Sequence, residues 1–411
     1  MTTASPARRI FYGWWIVLGC GIMAVVGWSL AIFGMGVYIH VLSEQRGLSI
    51  GLISTAVTFS FLVNAACLTS AGTVTARLGA RPVILTGAAA MAIALAGLGY
   101  FSQAWAIFLM FAVLGVGRAC LSATTISTTL APWFERYQGR AVSTALLGAS
   151  VGGMIATPLL LGGIALYGVT AAFVLAGAIS AVLLLPVALW VIKRTPQELG
   201  LLPDGGAATS KVTIEQAKWT LKGAMATRHL RTQLLGFALA QSAQVGFLSH
   251  HVSIVAPFLG ESRASIAVSI AAMAAFGGRI ALARFADKVD LRLLTGAVML
   301  LAAVSLAYLG LSSSRFSLLL ASAMYGLTIG NLTTLAPLLG RREIGARSFG
   351  LVFGFISAVT AIATAFGPAA YGLLRDMFES YAPPLMVAAA VNLVAAFVIV
   401  WGGRKPLPSP K

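Results

Sequence analysis

The chain has 411 residues, 59% of them hydrophobic and 9% charged, and its 28 Lys and Arg against 11 Asp and Glu give a net charge of +17. Soluble domains are roughly 25% charged, so this composition excludes a soluble enzyme, and the same apolar excess excludes a disordered chain. The basicity would suit a nucleic-acid binder, but the apolar content does not, and no nucleic-acid partner is expected.

The apolar residues suffice for about twelve membrane spans of about 20 residues each. In chain order the windows fall at 14–39, 50–76, 82–100, 105–131, 139–167 and 170–192, then at 229–258, 264–286, 292–312, 314–339, 347–375 and 382–403. The expected fold class is therefore an all-α membrane protein of twelve transmembrane helices in two pseudo-symmetric six-helix bundles. Cys20, Cys67 and Cys120 all lie inside apolar runs and form no disulfide framework. Arg8 and Arg9 are similar to a twin-arginine signal, but the apolar run that follows is too long and ends in no cleavage site, so it reads as an uncleaved first helix.

With the N-terminus placed in the cytoplasm, 22 of the 28 basic residues fall on cytoplasmic segments. Only Arg46, Arg263, Arg315 and Arg375 fall outside, and Arg118 and Arg279 fall within spans. The positive-inside rule then places both termini in the cytoplasm and the protein in the cell (inner) membrane as a multi-pass chain. Most of the net charge is topology.

The longest polar segment, 193–228, lies midway and divides an N-terminal bundle (1–192) from a C-terminal bundle (229–411), with the segment itself as a cytoplasmic loop. A weak repeat supports the division. Gly72, Ala76, Arg77, Gly79 and Arg81 follow the second span, and Ala283, Asp287, Lys288 and Arg292 follow the eighth at an offset of 211. Paired six-helix halves with substrate near the midplane are a common transporter plan.

On these residues the chain resembles the major facilitator superfamily, whose signature after helix two is Gly-x-x-x-Asp-Arg-x-Gly-x-Arg. Gly72, Arg77, Gly79 and Arg81 match it, while Ala76 stands where the aspartate belongs. The second copy keeps its acid, Asp287, with Lys288 and Arg292. The resemblance implies that Gly72, Arg77, Arg81, Asp287 and Lys288 form a conformational latch, weakened in the first half by Ala76. Within the superfamily the chain looks most like the monocarboxylate and oxalate/formate transporter group. The matching residues are Tyr12-Gly13-Trp14, Gly115 and Gly117, Trp133 to Arg136 with Gly139, Thr195 to Leu201 with Pro203 to Gly205, and Gly278-Arg279. That likeness implies an anion-binding arginine at Arg279.

The charges inside the spans carry the functional reading. All eleven acids fall in loops or at helix ends. Arg118 and Arg279 lie fourteen and fifteen residues along helices begun at 104 and 264, about 21–23 Å from the outer end. An unpartnered arginine there costs at least about 2.5–3.5 kcal/mol. A substrate anion would supply the missing charge, and the guanidinium fork suits a carboxylate. The alternative is an arginine satisfied by carbonyls, waters or an acid at the helix end. Helical spacing puts Ser122, Thr125 and Thr129 on the face of Arg118. Asn331 and Tyr325 in helix ten, with Gln241 and Gln244 in helix seven, are further interior polar candidates, either lining a pocket or bonding helix to helix. His250 and His251, late in helix seven, and His40 in helix one are candidates for gating or proton coupling, with a structural role as the alternative.

The expected function is secondary or facilitative transport of a small organic anion, a mono- or dicarboxylate such as lactate, pyruvate, formate or oxalate, by alternating access. A proton or a counter-anion would be the coupled partner, the lipid bilayer the surroundings, and the protein monomeric. No cofactor, metal or catalytic constellation is expected, nor a phosphate-cradling loop for ATP-driven pumping. Two alternatives share the fold. A drug/proton antiporter should carry an embedded acid, and a non-transporting sensor should carry an appended signalling domain.

Overall fold

Inside lipid the backbone has no water to bond, so each apolar run must satisfy its own N–H and C=O groups, which an α-helix does residue by residue. The computed structural model describes residues 11–134, 137–192, 195–203, 220–285, 289–344 and 346–403, and among the described residues all regular structure is helical. The first half supplies α1 (Gly13–Arg46), α2 (Ile50–Leu78), α3 (Ala80–Tyr100), α4 (Ala104–Leu130) and the run Gln138–Val191. Gly168 interrupts that run at φ 77° and ψ 168°, a conformation that needs the absence of a Cβ, and so divides it into α5 (138–167) and α6 (169–191).

The second half supplies α7 (Arg228–Leu259), α8 (Glu261–Phe285), α9 (Leu291–Leu311) and α10 (Arg315–Ile344), then α11 (Ala346–Ala365, resumed as Gly367–Phe378) and α12 (Ala382–Trp401). Ten stretches among the described residues are long and apolar enough to cross a membrane. Separating α5 from α6 and adding the more polar α7, 32 residues long, brings the spanning segments to twelve. Between the halves, a 3-10 turn at Pro196–Leu199 and a short helix at Leu221–Ala226 are the regular structure described in the central segment. Helices of each half pack mainly on one another, and the halves meet through α2 on α11, α5 on α8 and α1 on α7. The ends carrying Arg77, Arg81, Arg140 and Arg292 are called the basic end below, and the ends at Arg46, Gly168 and Glu261 the far end.

Three helices are interrupted along their length. In α1 a π turn spans Ser29–Phe33, and the Tyr38 hydroxyl donates to the Leu30 carbonyl at 2.9 Å. In α4 the helix stops at Cys120 and restarts at Ala123, with Ser122 Oγ accepting from the Thr125 N–H at 3.4 Å. In α11 it breaks at Phe366, ahead of Pro368, which has no N–H to offer the preceding turn. The single helical face through Arg118, Ser122, Thr125 and Thr129 presumed an unbroken α4. The serine instead caps a new helix, so that spacing argument fails beyond Cys120.

The repeat has a structural counterpart. Arg81 at the start of α3 donates through Nε to the Ile192 carbonyl at 2.7 Å, tying α3 to the end of α6. Arg292 at the start of α9 donates through Nη1 to the Ile399 carbonyl at 2.7 Å, tying α9 to the end of α12. The second tie is much the heavier. Arg292 is 3% exposed, pairs with Glu343 through two bonds of 2.6 and 3.0 Å, and also reaches Thr232 Oγ1 and the His229 carbonyl. Removing one member of such a buried pair costs about 3–5 kcal/mol, whereas one neutral bond is worth about 1 kcal/mol. Arg292→Ala is therefore expected to lower the melting temperature of the detergent-solubilised protein severalfold more than Arg81→Ala, as a thermal unfolding scan would show.

Candidate functional site

A cavity of about 410 Å³ lies where the two halves face each other. The first half contributes Trp28, Ile32 and Phe33 from the interrupted stretch of α1, Phe61 and Asn64 from α2, Arg118 from α4 and Ser150 from α5. The second half contributes Gln241, Gln244 and Leu248 from α7, Arg279 from α8, Thr333 from α10, and Ser357, Thr360 and Thr364 from α11. Among the described residues the lining holds two arginines and no Asp or Glu. Interrupted helices border it on three sides, and irregular backbone at depth is tolerated where it lines a cavity.

Arg279 reaches across the boundary between the halves. Its Nη1 donates to Ser150 Oγ at 2.7 Å, while Nε and Nη2 approach the Gly330 carbonyl and Thr333 Oγ1 at 3.4 Å. Gly330 makes this course available: a Cβ there would stand 2.6 Å from the Ala275 carbonyl and 2.7 Å from the arginine's own Cγ. All these partners are neutral. Helix α8 begins at Glu261, three residues before the sequence-based start, so Arg279 sits about 27 Å from its far end and somewhat nearer the basic end than expected.

Arg118 lies against the Phe61 ring, its guanidinium carbon 4.0 Å from the ring centroid, and its buried Nη1 has no hydrogen-bond partner among the described residues. A cation over an aromatic face gains about 0.5–2 kcal/mol, which answers part of the burial cost and leaves a donor free. A smaller recess continues from the cavity past Trp28, Asn64 and Arg118 to Ser122 and Thr124. Thr125 and Thr129 point elsewhere: their hydroxyls bond the Ala119 and Thr125 carbonyls at 3.3 and 2.7 Å. Around the main cavity Asn64 Oδ1, Gln244 Oε1, Thr360 Oγ1 and Thr364 Oγ1 are also buried without partners.

The structure thus brings together Arg279, Arg118, Gln244 and, through the recess, Ser122. It does not bring Tyr325 or Asn331 to the cavity wall. Tyr325 is buried in an aromatic layer, its ring 4.4 Å from that of Phe247. Asn331 donates to the Leu327 carbonyl at 2.9 Å, and its amide packs against Gly278. Asn64, Ser150, Thr360 and Thr364 escaped the sequence reading. Asn64 could have been found, being an amide in mid-span; small hydroxyls give no such signal.

The far end is where the halves close on one another. Asp376 Oδ2 of α11 accepts from the Gly51 N–H at the start of α2 at 2.8 Å, and Thr58 Oγ1 of α2 accepts from the Ala369 N–H at the start of the second part of α11 at 3.1 Å. Each half therefore caps a helix N-terminus belonging to the other. Between these caps sits His250, fully buried, with Nε2 3.2 Å from Ser54 Oγ and 3.1 Å from the Pro368 carbonyl, and Nδ1 3.1 Å from the Tyr381 hydroxyl. His251 stays within its own half, 2.9 Å from Ser322 Oγ. His40 lies 3.6 Å from Glu261.

Of the latch residues, Gly72 faces the Thr124 side chain, Arg81 makes the tie to Ile192, and Arg77 is exposed at the basic end. Asp287 and Lys288 lie outside the described residues. No group of three or more His, Cys, Asp or Glu that could hold a metal occurs among the described residues.

The family model described as Major Facilitator Superfamily matches residues 17–368. No curated relative matches the chain. Among solved structures, a bacterial homolog to the human lysosomal transporter Spinster, inward-facing and unoccupied, is 14% identical, with a TM-score of 0.73 over 98% of this chain and 100% of that one. A D-xylose-proton symporter is 12% identical, with a TM-score of 0.76 over 96% and 100%. The nucleoside transporter NupG is 14% identical, with a TM-score of 0.72 over 94% and 99%. At these identities the likeness establishes the fold.

The reciprocal caps make a measurable prediction. Ser54 is fully buried at the far-end contact, so a Ser54→Cys thiol reports opening there. Adding Thr58→Val and Asp376→Ala removes both caps, together worth about 2–3 kcal/mol. Alkylation of the thiol by a membrane-impermeant maleimide is expected to rise at least about tenfold.

Proposed function

The chain belongs to the Major Facilitator Superfamily, and on that premise we propose that this transporter carries a small organic anion, a mono- or dicarboxylate, by alternating access. The observation that carries the reading is the pair Arg118 and Arg279, one from each half, lining one cavity with no carboxylate among the described residues to neutralise them. Two cations gathered in an apolar bundle raise the potential of the space between them, and an anion entering it meets guanidinium forks that are partly withdrawn from bulk water. The resemblance to the monocarboxylate and oxalate/formate group supports the same chemistry.

In this reading the basic end faces the cytoplasm of the cell's (inner) membrane, and a monomeric carrier would open to that side while the far-end contacts hold. The far-end contacts close the outer side, and rocking of the halves about the cavity exchanges the two. An anion placed between the arginines removes their mutual repulsion, which opposes closure of the halves around an empty site. With no acid among the described cavity residues for proton exchange, anion exchange or facilitated movement is the simplest coupling. The same lack of an acid disfavours a drug/proton antiporter, which needs a negative group to bind a cation.

Arg279→Ala is expected to abolish counterflow of a labelled carboxylate into proteoliposomes while leaving the thermal unfolding of the apoprotein within a few degrees of wild type. Uptake at the wild-type rate in that variant would refute the assignment.

A further inference from the structure

Arg279 and Arg118 meet the cavity in different ways. Arg279 has a neutral partner in every direction that its donors point, Ser150, Gly330 and Thr333. Arg118 is held by an aromatic face and keeps a buried Nη1 donor with no partner. The first is an anchor with hydroxyls to give up. The second is a charge with one side finished and the other vacant.

A monoanion at Arg279 would neutralise one of the two charges and leave the other desolvated. A second anionic group on the same molecule would take the open donor of Arg118. We propose that Arg118 forms a second anion subsite, and that the preferred substrate is a dicarboxylate bridging Arg118 of the N-terminal half and Arg279 of the C-terminal half. The inference rests on the organic-anion reading above and sharpens it to a charge count of two.

The apolar part of the cavity lining agrees with a carbon skeleton. Trp28, Phe33, Phe61, Leu248 and Ile329 offer apolar surface to methylenes. An inorganic dianion such as sulfate concentrates both charges on one centre, whereas a dicarboxylate spaces them along a carbon chain. Because the two subsites belong to different halves, a bridging dicarboxylate also ties the halves together, which a monocarboxylate of the same length cannot do.

The test uses the full-length protein in detergent, with ligand-dependent thermal shifts read for matched pairs: succinate against butyrate, malonate against propionate, and oxalate against formate, with sulfate as the inorganic dianion. The expected result is at least tenfold tighter apparent binding of the dicarboxylate in at least one pair, with sulfate weaker than that dicarboxylate. Arg118→Gln should erase the preference, changing monocarboxylate binding less than twofold, while Arg118→Lys, which keeps the charge, should retain part of it. Arg279→Gln should weaken both members of the pair.

Equal binding of the mono- and dicarboxylates by wild type, or equal weakening of both by Arg118→Gln, would overturn the second subsite and leave the organic-anion reading standing. Sulfate binding as tightly as the best dicarboxylate would overturn the bridge. No shift with any of the seven probes would overturn both. Should Arg118→Gln fail to fold, the Arg118→Lys protein and the wild-type pairs still decide the matter.

Discussion

A guanidinium held at depth in an apolar helical bundle has to be answered by other groups, and much of the site follows from how this chain answers two of them. Among the described residues neither arginine meets an acid. Arg279 is met by a serine, a threonine and a carbonyl, and Arg118 by the face of a phenylalanine. Neutral dipoles reduce the cost of the charge without cancelling it, so the cavity keeps a positive potential. Those dipoles need backbone and hydroxyls in places where a continuous helix would not put them, and the interrupted stretches of α1, α4 and α11 border the same space.

The contrast with Arg292 shows what the chain does with an arginine whose work is structural. That side chain is buried, met by both oxygens of Glu343, and engaged on every donor nitrogen. A satisfied ion pair at the basic end fixes α9 against the end of α12 and the start of α7, and nothing mobile is asked of it. One chain thus holds a fully paired arginine at the basic end and, among the described residues, two without an acid in the cavity. The difference between an arginine with an acid and one without separates scaffold from site more sharply than burial does.

The twelve spans were legible in the sequence because lipid tolerates so few solutions. Apolar runs of the right length, broken by basic clusters, can hardly fold otherwise, and even the join between α5 and α6 fell within two residues of Gly168. The two arginines were legible for the same reason, since a charge inside a span cannot be an accident of surface composition. The local breaks were not. Nothing in the periodicity around Cys120 announces that Ser122 will cap a new helix, because serine is equally at home bonding its own turn. Tyr325 and Asn331 were picked out as polar groups in an apolar helix, but which neighbour such a group faces is decided by the packing of other helices. Ser150 went unnoticed because its importance lies wholly in what stands opposite.

The bond from Arg279 to Ser150 has a consequence for the unloaded carrier. It joins one half to the other beside the cavity, so a hydroxyl dipole stands where a full negative charge is proposed to go. A carboxylate arriving there has to share or displace that hydroxyl, and its departure lets the serine return. The strength of this stand-in would set how readily the carrier reorients without a passenger, and hence the balance between strict exchange and net flow. A single side chain with no charge of its own could act as the clutch of the machine.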